Sequence, residues 1–269
     1  MQADAAVCHG VVKIYWTETG EVHALKGIDA VFPPGTVTAV VGPSGSGKSS
    51  LLRILAGLDR PTAGSVQIIG HELATLGRTK LRRIRRKLVG YVFQRPAENL
   101  ISYLTVIDHL RVAAELRGPW NQKEAHDILE TLGIDHRRHH LPGQLSGGEQ
   151  QRAAFAQAVI GGPALVVADE PTAELDSRSG KALLETISAL TDTGVSFVVS
   201  THDTELMHGA DRTLHLRHGA VEAEIWEAKR LSVIDASGRI QLPPEAMALF
   251  PGRRARMVVD EDGVRIAPP

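Results

Sequence analysis

The stretch Gly42-Pro43-Ser44-Gly45-Ser46-Gly47-Lys48-Ser49 constrains this chain more than any other, because it matches the phosphate-binding pattern G-x-x-x-x-G-K-[ST] in full. It follows an apolar run with strand character, Val37 to Val41. It opens a helix-like stretch, Ser50 to Ala56, whose apolar residues are Leu51, Leu52, Ile54 and Leu55. Strand, glycine loop and helix form the context that the pattern requires. The glycines let backbone N–H groups turn inward around an anion, the helix N-terminus adds partial positive charge, and the Lys48 ammonium adds a mobile full charge. Ser49 is left to ligate Mg²⁺. The expectation is an α/β domain that binds a purine nucleoside triphosphate.

Charge and length limit what else such a domain does. At 269 residues the chain holds one large α/β domain and a small appendage. Lys and Arg number 30 against 31 Asp and Glu, so a net charge of -1 gives no global attraction to nucleic acid or to an anionic membrane. Any such partner must act through a local patch. The single cysteine, Cys8, forms no internal disulfide, and no apolar run reaches the length of roughly 18 residues that spans a bilayer. The sequence therefore predicts a cytosolic chain, one that would work at a membrane only by docking onto another protein.

In chain order, Val7 to Phe32 reads as two or three short strands turning at Thr19-Gly20. Tyr15 and Trp16 within it are either a platform for an adenine or, for one of them, a ring packed in the sheet. Asp59 to Gly64 is a turn and Ser65 to Ile69 a strand. Leu73, Leu76, Leu81, Ile84 and Leu88 stand close to helical spacing, with Lys80, Arg82, Arg83, Arg85, Arg86 and Lys87 on the other face. That basic face meets solvent, a membrane or nucleic acid. Val89 to Phe93 is a strand ending at Gln94, and residues 95–134 read as helical with loop breaks, a helical insertion with Asn121 as a cap and Gly133 as a stop. His136, His139 and His140 lie in an Arg-containing loop without the further ligands a metal site needs.

Ser146 and Glu149 form an S-x-x-E capping box, with Gly147 and Gly148 at the mouth of a helix that runs to about Ile160. This is a second potential anion site. Ala164 to Ala168 reads as a buried parallel strand that delivers Asp169-Glu170 to its C-terminal end, the edge where α/β sheets bind ligands. A carboxylate there holds Mg²⁺ through water, and a second accepts a proton from attacking water. A helix from about Ser177 to Leu190, a strand from Val195 to Ser200 and then His202 repeat the arrangement. Arg212 to Leu216 and Val221 to Ile225 form a hairpin around His218-Gly219. Residues 231–269 read as a separate unit of short strands and one short helix, too small to hold a core alone, with dimerisation as its support.

Taken together, these residues over roughly 7–225 resemble the nucleotide-binding subunit of ABC transporters. Leu145-Ser146-Gly147-Gly148-Glu149-Gln150-Gln151-Arg152 discriminates best, placed after Gln94 and before Asp169-Glu170. The resemblance implies an α/β P-loop NTPase core, residues 1–228, with a helical subdomain at about 95–160. It implies a transport-coupled ATPase with ATP and Mg²⁺. Tyr15, less so Trp16, would stack on adenine. Gly42, Ser44, Gly45, Ser46, Gly47, Lys48, Ser49 and Ser50 would hold the phosphates. Ser49 and Gln94 would ligate Mg²⁺ with Asp169 behind, Glu170 would be the general base and His202 the γ-phosphate sensor. Ser146, Gly147 and Gly148 would close over the ATP of a second copy, and Asp176 would couple the two sites. The implied partners are that second copy and an integral permease at the inner face of the cell membrane. Glu21 to Gly27 and the run from Gly42 to Gly64 are similar to the lipoprotein-release, macrolide-export and cell-division ATPases. Arg95 to Asn99 and Glu174 depart from that subgroup. The tail, 229–269, resembles an AbrB-type swapped-hairpin domain through Ser232 to Pro243. Its basic residues Arg239, Arg253, Arg254 and Arg256 are offset by Asp235, Asp260, Glu261 and Asp262, which favours a dimer clamp over the alternative of an ATP-gated DNA-binding regulator.

Overall fold

A computed structural model describes residues 3–18, 20–226, 229–232, 249–250, 255–260 and 263–267. A seven-stranded sheet forms its centre, in the order β11-β10-β9-β3-β8-β7-β6. The strands are β3 (Val37–Val41), β6 (Val89–Val92), β7 (Leu165–Asp169), β8 (Ser196–Ser200), β9 (Arg212–Arg217), β10 (Ala220–Trp226) and β11 (Lys229–Ser232). From β6 to β9 every neighbouring pair is parallel, and β10 and β11 add on antiparallel. The C-terminal ends of β3, β7 and β8 thus share one edge.

The period of two along each strand decides which core a residue joins. Val37, Ala39 and Val41 of β3 share one core with Val166, Ala168, Phe197 and Val199. Val40, Leu165, Val167 and Val198 face the other. The first core is closed by α3 (Val106–Glu115), α4 (Gln122–Thr131), α5 (Gly147–Val159) and α6 (Ser177–Asp192). There the rings of Phe155 and Phe197 stack with centroids 6.4 Å apart, and truncating either to Ala costs about 3–5 kcal/mol. The second core is closed by α1 (Lys48–Leu55), α2 (Arg78–Leu88) and an antiparallel sheet, β2-β1-β4-β5. Its strands are β1 (Ala6–Thr17), β2 (Gly20–Phe32), β4 (Ala63–Ile68) and β5 (His71–Glu72). A last helix, α7 (Thr204–Gly209), follows β8.

Two sequence expectations need correction. Val7 to Phe32 forms two long strands, because register shifts at Cys8, Val11 and Lys13 interrupt the alternation that marks one continuous strand. Leu73 to Leu88 is not one helix: a short 3₁₀ turn at Leu73–Thr75 ends before Gly77, which takes an extended conformation and caps α2. Residues 95–134 are helical with loop breaks, as expected: a 3₁₀ turn, α3 and α4. Asn121 caps α4 by accepting from the Lys123 and Glu124 N–H groups. In the tail, β12 (Arg256–Asp260) and β13 (Gly263–Ala267) pair antiparallel, while β11 pairs with β10. The strand, turn and helix expected over 233–248 and the turn at Pro251-Gly252 lie outside the described residues, as does Thr19.

Candidate nucleotide site

The glycine loop leaves β3 and enters α1 under tight steric limits. Gly42 has φ 153° and a Cβ there would stand 2.1 Å from the Leu216 carbonyl oxygen. Gly47 has φ 104° and a Cβ would stand 2.4 Å from the Ala24 carbonyl oxygen. Only glycine fits either place. Gly47 is also the N-cap of α1, and neither a capping side chain nor an acidic residue occupies that helix's first turn. Its N–H groups and partial positive charge are therefore available to an anion. Lys48 reaches back over the loop, where Nζ donates to the carbonyls of Gly42 at 2.7 Å and Pro43 at 3.3 Å. The Ser46 hydroxyl is buried without a hydrogen-bond partner among the described residues.

A cleft of ≈ 790 Å³ opens along this loop, lined by Ser44 through Ser50. Asp169, Glu170 and His202 form its far side. Asp169 is buried, and its Oδ1 accepts from the Ser200 hydroxyl at 2.5 Å. Glu170 turns out of the strand with φ 50°, a left-handed conformation rare outside glycine, and its N–H donates to Ser200 Oγ at 3.1 Å. Glu170 Oε1 stands 3.3 Å from His202 Nε2, and His202 is otherwise largely exposed.

Tyr15 and Gln94 complete the cleft from other elements. The Tyr15 hydroxyl donates to Asp59 Oδ2 at 3.1 Å, and Lys13 Nζ covers the ring at 4.8 Å from its centroid while pairing with Asp59. That clamp fixes the ring. Trp16 is 79% exposed and does not line the cleft. Gln94 follows β6, and Asn99 holds the segment by accepting from Phe93 N–H at 2.8 Å and donating to the Tyr91 carbonyl at 2.7 Å. Val22, His23 and Ala24 of β2 also line the cleft. Sequence reading missed Asn99, Asp59 and Ser200, which act through neighbours that only the fold supplies.

Ser146, Gly147, Gly148 and Asp176 do not line this cleft. They gather at a second helix mouth. Ser146 Oγ accepts from Glu149 N–H at 3.3 Å, and Glu149 Oε2 accepts from Ser146 N–H at 2.8 Å, the capping box read from the sequence. The Ser146 N–H bond, with Arg137 at 2.9 Å, holds the Glu149 carboxyl down to about 2. Gly147 and Gly148 pack on Glu174, where a Cβ on Gly148 would lie 3.0 Å from the Glu174 carbonyl oxygen. Asp176 caps α6 by accepting from Ser179 N–H at 2.8 Å, and that bond lowers its pKa. The free chain thus carries two anion-competent helix mouths apart from each other.

A parallel sheet whose central strand ends in a glycine cradle, beside a strand ending in two carboxylates, defines a P-loop nucleoside-triphosphatase. Comparison with known proteins narrows the class. Residues 25–173 match the family model described as ABC transporter. An uncharacterised ABC transporter ATP-binding protein of Thermotoga maritima is 39% identical, over 79% of this chain and 91% of that one. The lipoprotein-releasing system ATP-binding protein LolD 2 of Caulobacter vibrioides is 39% identical, over 80% of this chain and 95% of its own. A macrolide export ATP-binding/permease protein, MacB, of Azoarcus is 37% identical, and there the matched part is 33% of its length. Dimeric structures of the cassette MJ0796, one bound to ADP and Pi, superpose with a TM-score of 0.78 at 34% identity, covering 83% of this chain and 99% of theirs. The chain belongs to the ABC transporter family, as an ATP-binding ATPase subunit. Among the described residues no helix is long and apolar enough to cross a membrane.

Proposed function

We propose that two copies of this chain close head to tail around two ATP molecules and that this cycle drives a membrane permease at the inner face of the cell membrane. The observation that carries the reading is the separation of the cleft at Lys48 from the helix mouth at Ser146 to Gly148. Each is half of a phosphate site, and a two-fold pairing brings one copy's cleft to the other's helix mouth. The dimeric cassettes at 34% identity support it.

In this reading Tyr15 stacks on the adenine, and Lys48 with the N–H groups of Ser44 through Ser50 binds the β- and γ-phosphates. Ser49, Gln94 and Asp169 line one cleft and offer the oxygen donors that suit Mg²⁺. When bound, Mg²⁺ neutralises charge developing on the phosphate oxygens. Glu170 accepts the proton of the attacking water, and His202, 3.3 Å away, senses the γ-phosphate. Ser146, Gly147 and Gly148 close over the partner's γ-phosphate, and Asp176 links the sites. The segment after Gln94 meets the permease. Residues 1–228 form the ATPase domain and 229–269 an AbrB-like tail that clamps the two copies between cycles.

Glu170→Gln tests the central role. It keeps the side chain's size and removes the proton acceptor, so turnover is expected to fall about 10²- to 10⁴-fold while ATP still binds. Undiminished turnover would overturn the assignment. The permease reading is tested by affinity purification from cells, with an integral membrane protein expected to accompany the chain in equal amount.

A further inference from the structure

Glu149, Glu174 and Asp176 put three carboxylates around the second helix mouth, and two of them are engaged. Glu149 accepts from the Ser146 N–H and pairs with Arg137, and Asp176 accepts from the Ser179 N–H. Glu174 is exposed and has no ion pair or hydrogen bond among the described residues. Arg152 does not neutralise it. Its Nη1 lies 3.7 Å from the position a Cβ would take on Gly148, but donates to Ser179 Oγ at 2.5 Å.

The segment that carries Glu174 is pressed against the start of α5. Ala173 N–H donates to the Glu170 carbonyl at 3.2 Å and Leu175 N–H to the Thr172 carbonyl at 3.0 Å, two successive turns that lead from the cleft to the mouth. The Glu174 carbonyl oxygen lies 3.0 Å from where a Cβ would stand on Gly148, and its Oε2 lies 3.2 Å from the same place on Gly147. The two glycines thus let the carboxylate lie beside the first turn of the helix. They hold its first two positions, where backbone N–H groups have no acceptor within a helix and where the dipole favours a negative charge.

We infer that Glu174 is a built-in competitor for the helix mouth, a carboxylate that the γ-phosphate of the partner's ATP must displace before two copies close. This rests on the head-to-tail reading and adds to it what sets the ATP threshold. Carboxylate and phosphate seek the same N–H groups and the same partial charge, and two anions in contact repel. The carboxylate has the advantage of its tether, which holds it beside the mouth at a high effective concentration. Without ATP the mouth is therefore occupied from within the chain, and closure waits until nucleotide outcompetes it.

Glu174→Gln keeps the side chain's size and removes its charge. In chains that also carry Glu170→Gln, ATP is titrated and dimer formation is followed by light scattering after gel filtration. The Glu174→Gln chain is expected to reach half-maximal dimer at an ATP concentration more than about threefold lower. Each closed pair holds two ATP molecules and two mouths, so a gain at each mouth appears as the same factor in ATP. The gap is expected to narrow as salt rises, since screening weakens the competing charge. With Ser146→Arg present to prevent pairing, ATP is expected to bind single chains equally with Glu174 or Gln at that position. An unchanged or raised threshold, a gap that persists at high salt, or a shift already present in single chains would overturn the inference and leave the head-to-tail reading standing. No dimer at saturating ATP, with or without Glu174→Gln, would overturn both.

Discussion

Ser200 places two neighbouring carboxylates in different environments with one hydroxyl. It lies opposite Asp169 in the β7–β8 register, donates to Asp169 Oδ1, and accepts from the N–H of Glu170. Glu170 sits at φ 50°, a conformation that costs of the order of 1–3 kcal/mol and persists only where its surroundings hold it. The Ser200 hydroxyl and carbonyl, both accepting from Glu170 N–H, are that hold. Ser200→Ala leaves a buried carboxylate oxygen without its donor, at about 1–3 kcal/mol. Turnover is expected to fall with ATP affinity kept, and Ser200→Thr to restore part of it. Steady-state kinetics beside a nucleotide-binding titration read both, and unaltered turnover in the alanine variant would show that the hydroxyl positions nothing. Asp169-Glu170 was legible in the sequence because an apolar run ended in acids. Ser200 was not, since one serine closing an apolar strand forms no pattern until the register pairs it with Asp169.

Among the elements, α5 shows what a capped helix start contributes to stability. The capping box was plain at the sequence level, because Ser146 and Glu149 answer each other at fixed spacing. Arg137, which pairs with Glu149 from a separate 3₁₀ turn, was not. Glu149 has its carboxyl pKa lowered from 4.5 to about 2, chiefly by the Ser146 N–H. A depressed acid contributes stability that is complete above its ordinary pKa and is lost as pH falls through the folded one. The wild-type thermal midpoint should therefore drop between pH 4.5 and about 2 more steeply than that of Glu149→Gln, which has no carboxylate to protonate. Parallel pH profiles would show that the network adds nothing to stability. The long strands β1 and β2 were read as shorter pieces for a related reason. A bulge shifts the inward residues by one place, and local alternation then mimics a strand end.

At the scale of the whole molecule, the proposed head-to-tail closure makes the free chain half of each site, which mixing defective copies tests. Lys48→Ala removes the ammonium proposed to bind the phosphates but leaves Ser146 to Gly148 intact. Ser146→Arg keeps the Lys48 cleft but blocks the helix mouth with a long side chain. Neither variant alone can close a composite site, because every site in its homodimer lacks one half. In a mixture the ATP held by the Ser146→Arg copy meets the unaltered helix mouth of the Lys48→Ala copy, so each mixed pair has one whole site. ATP is therefore expected to drive dimer formation in the mixture and in neither parent, as read by light scattering after gel filtration. Carrying Glu170→Gln in both chains prevents hydrolysis from dissolving the pair during the measurement. Binding only the closed pair, ATP raises dimer stability with its concentration, so the dimer fraction should climb as ATP is titrated. A mixture that stays monomeric at saturating ATP would place both halves of the site within one chain, and the head-to-tail arrangement would fall with it.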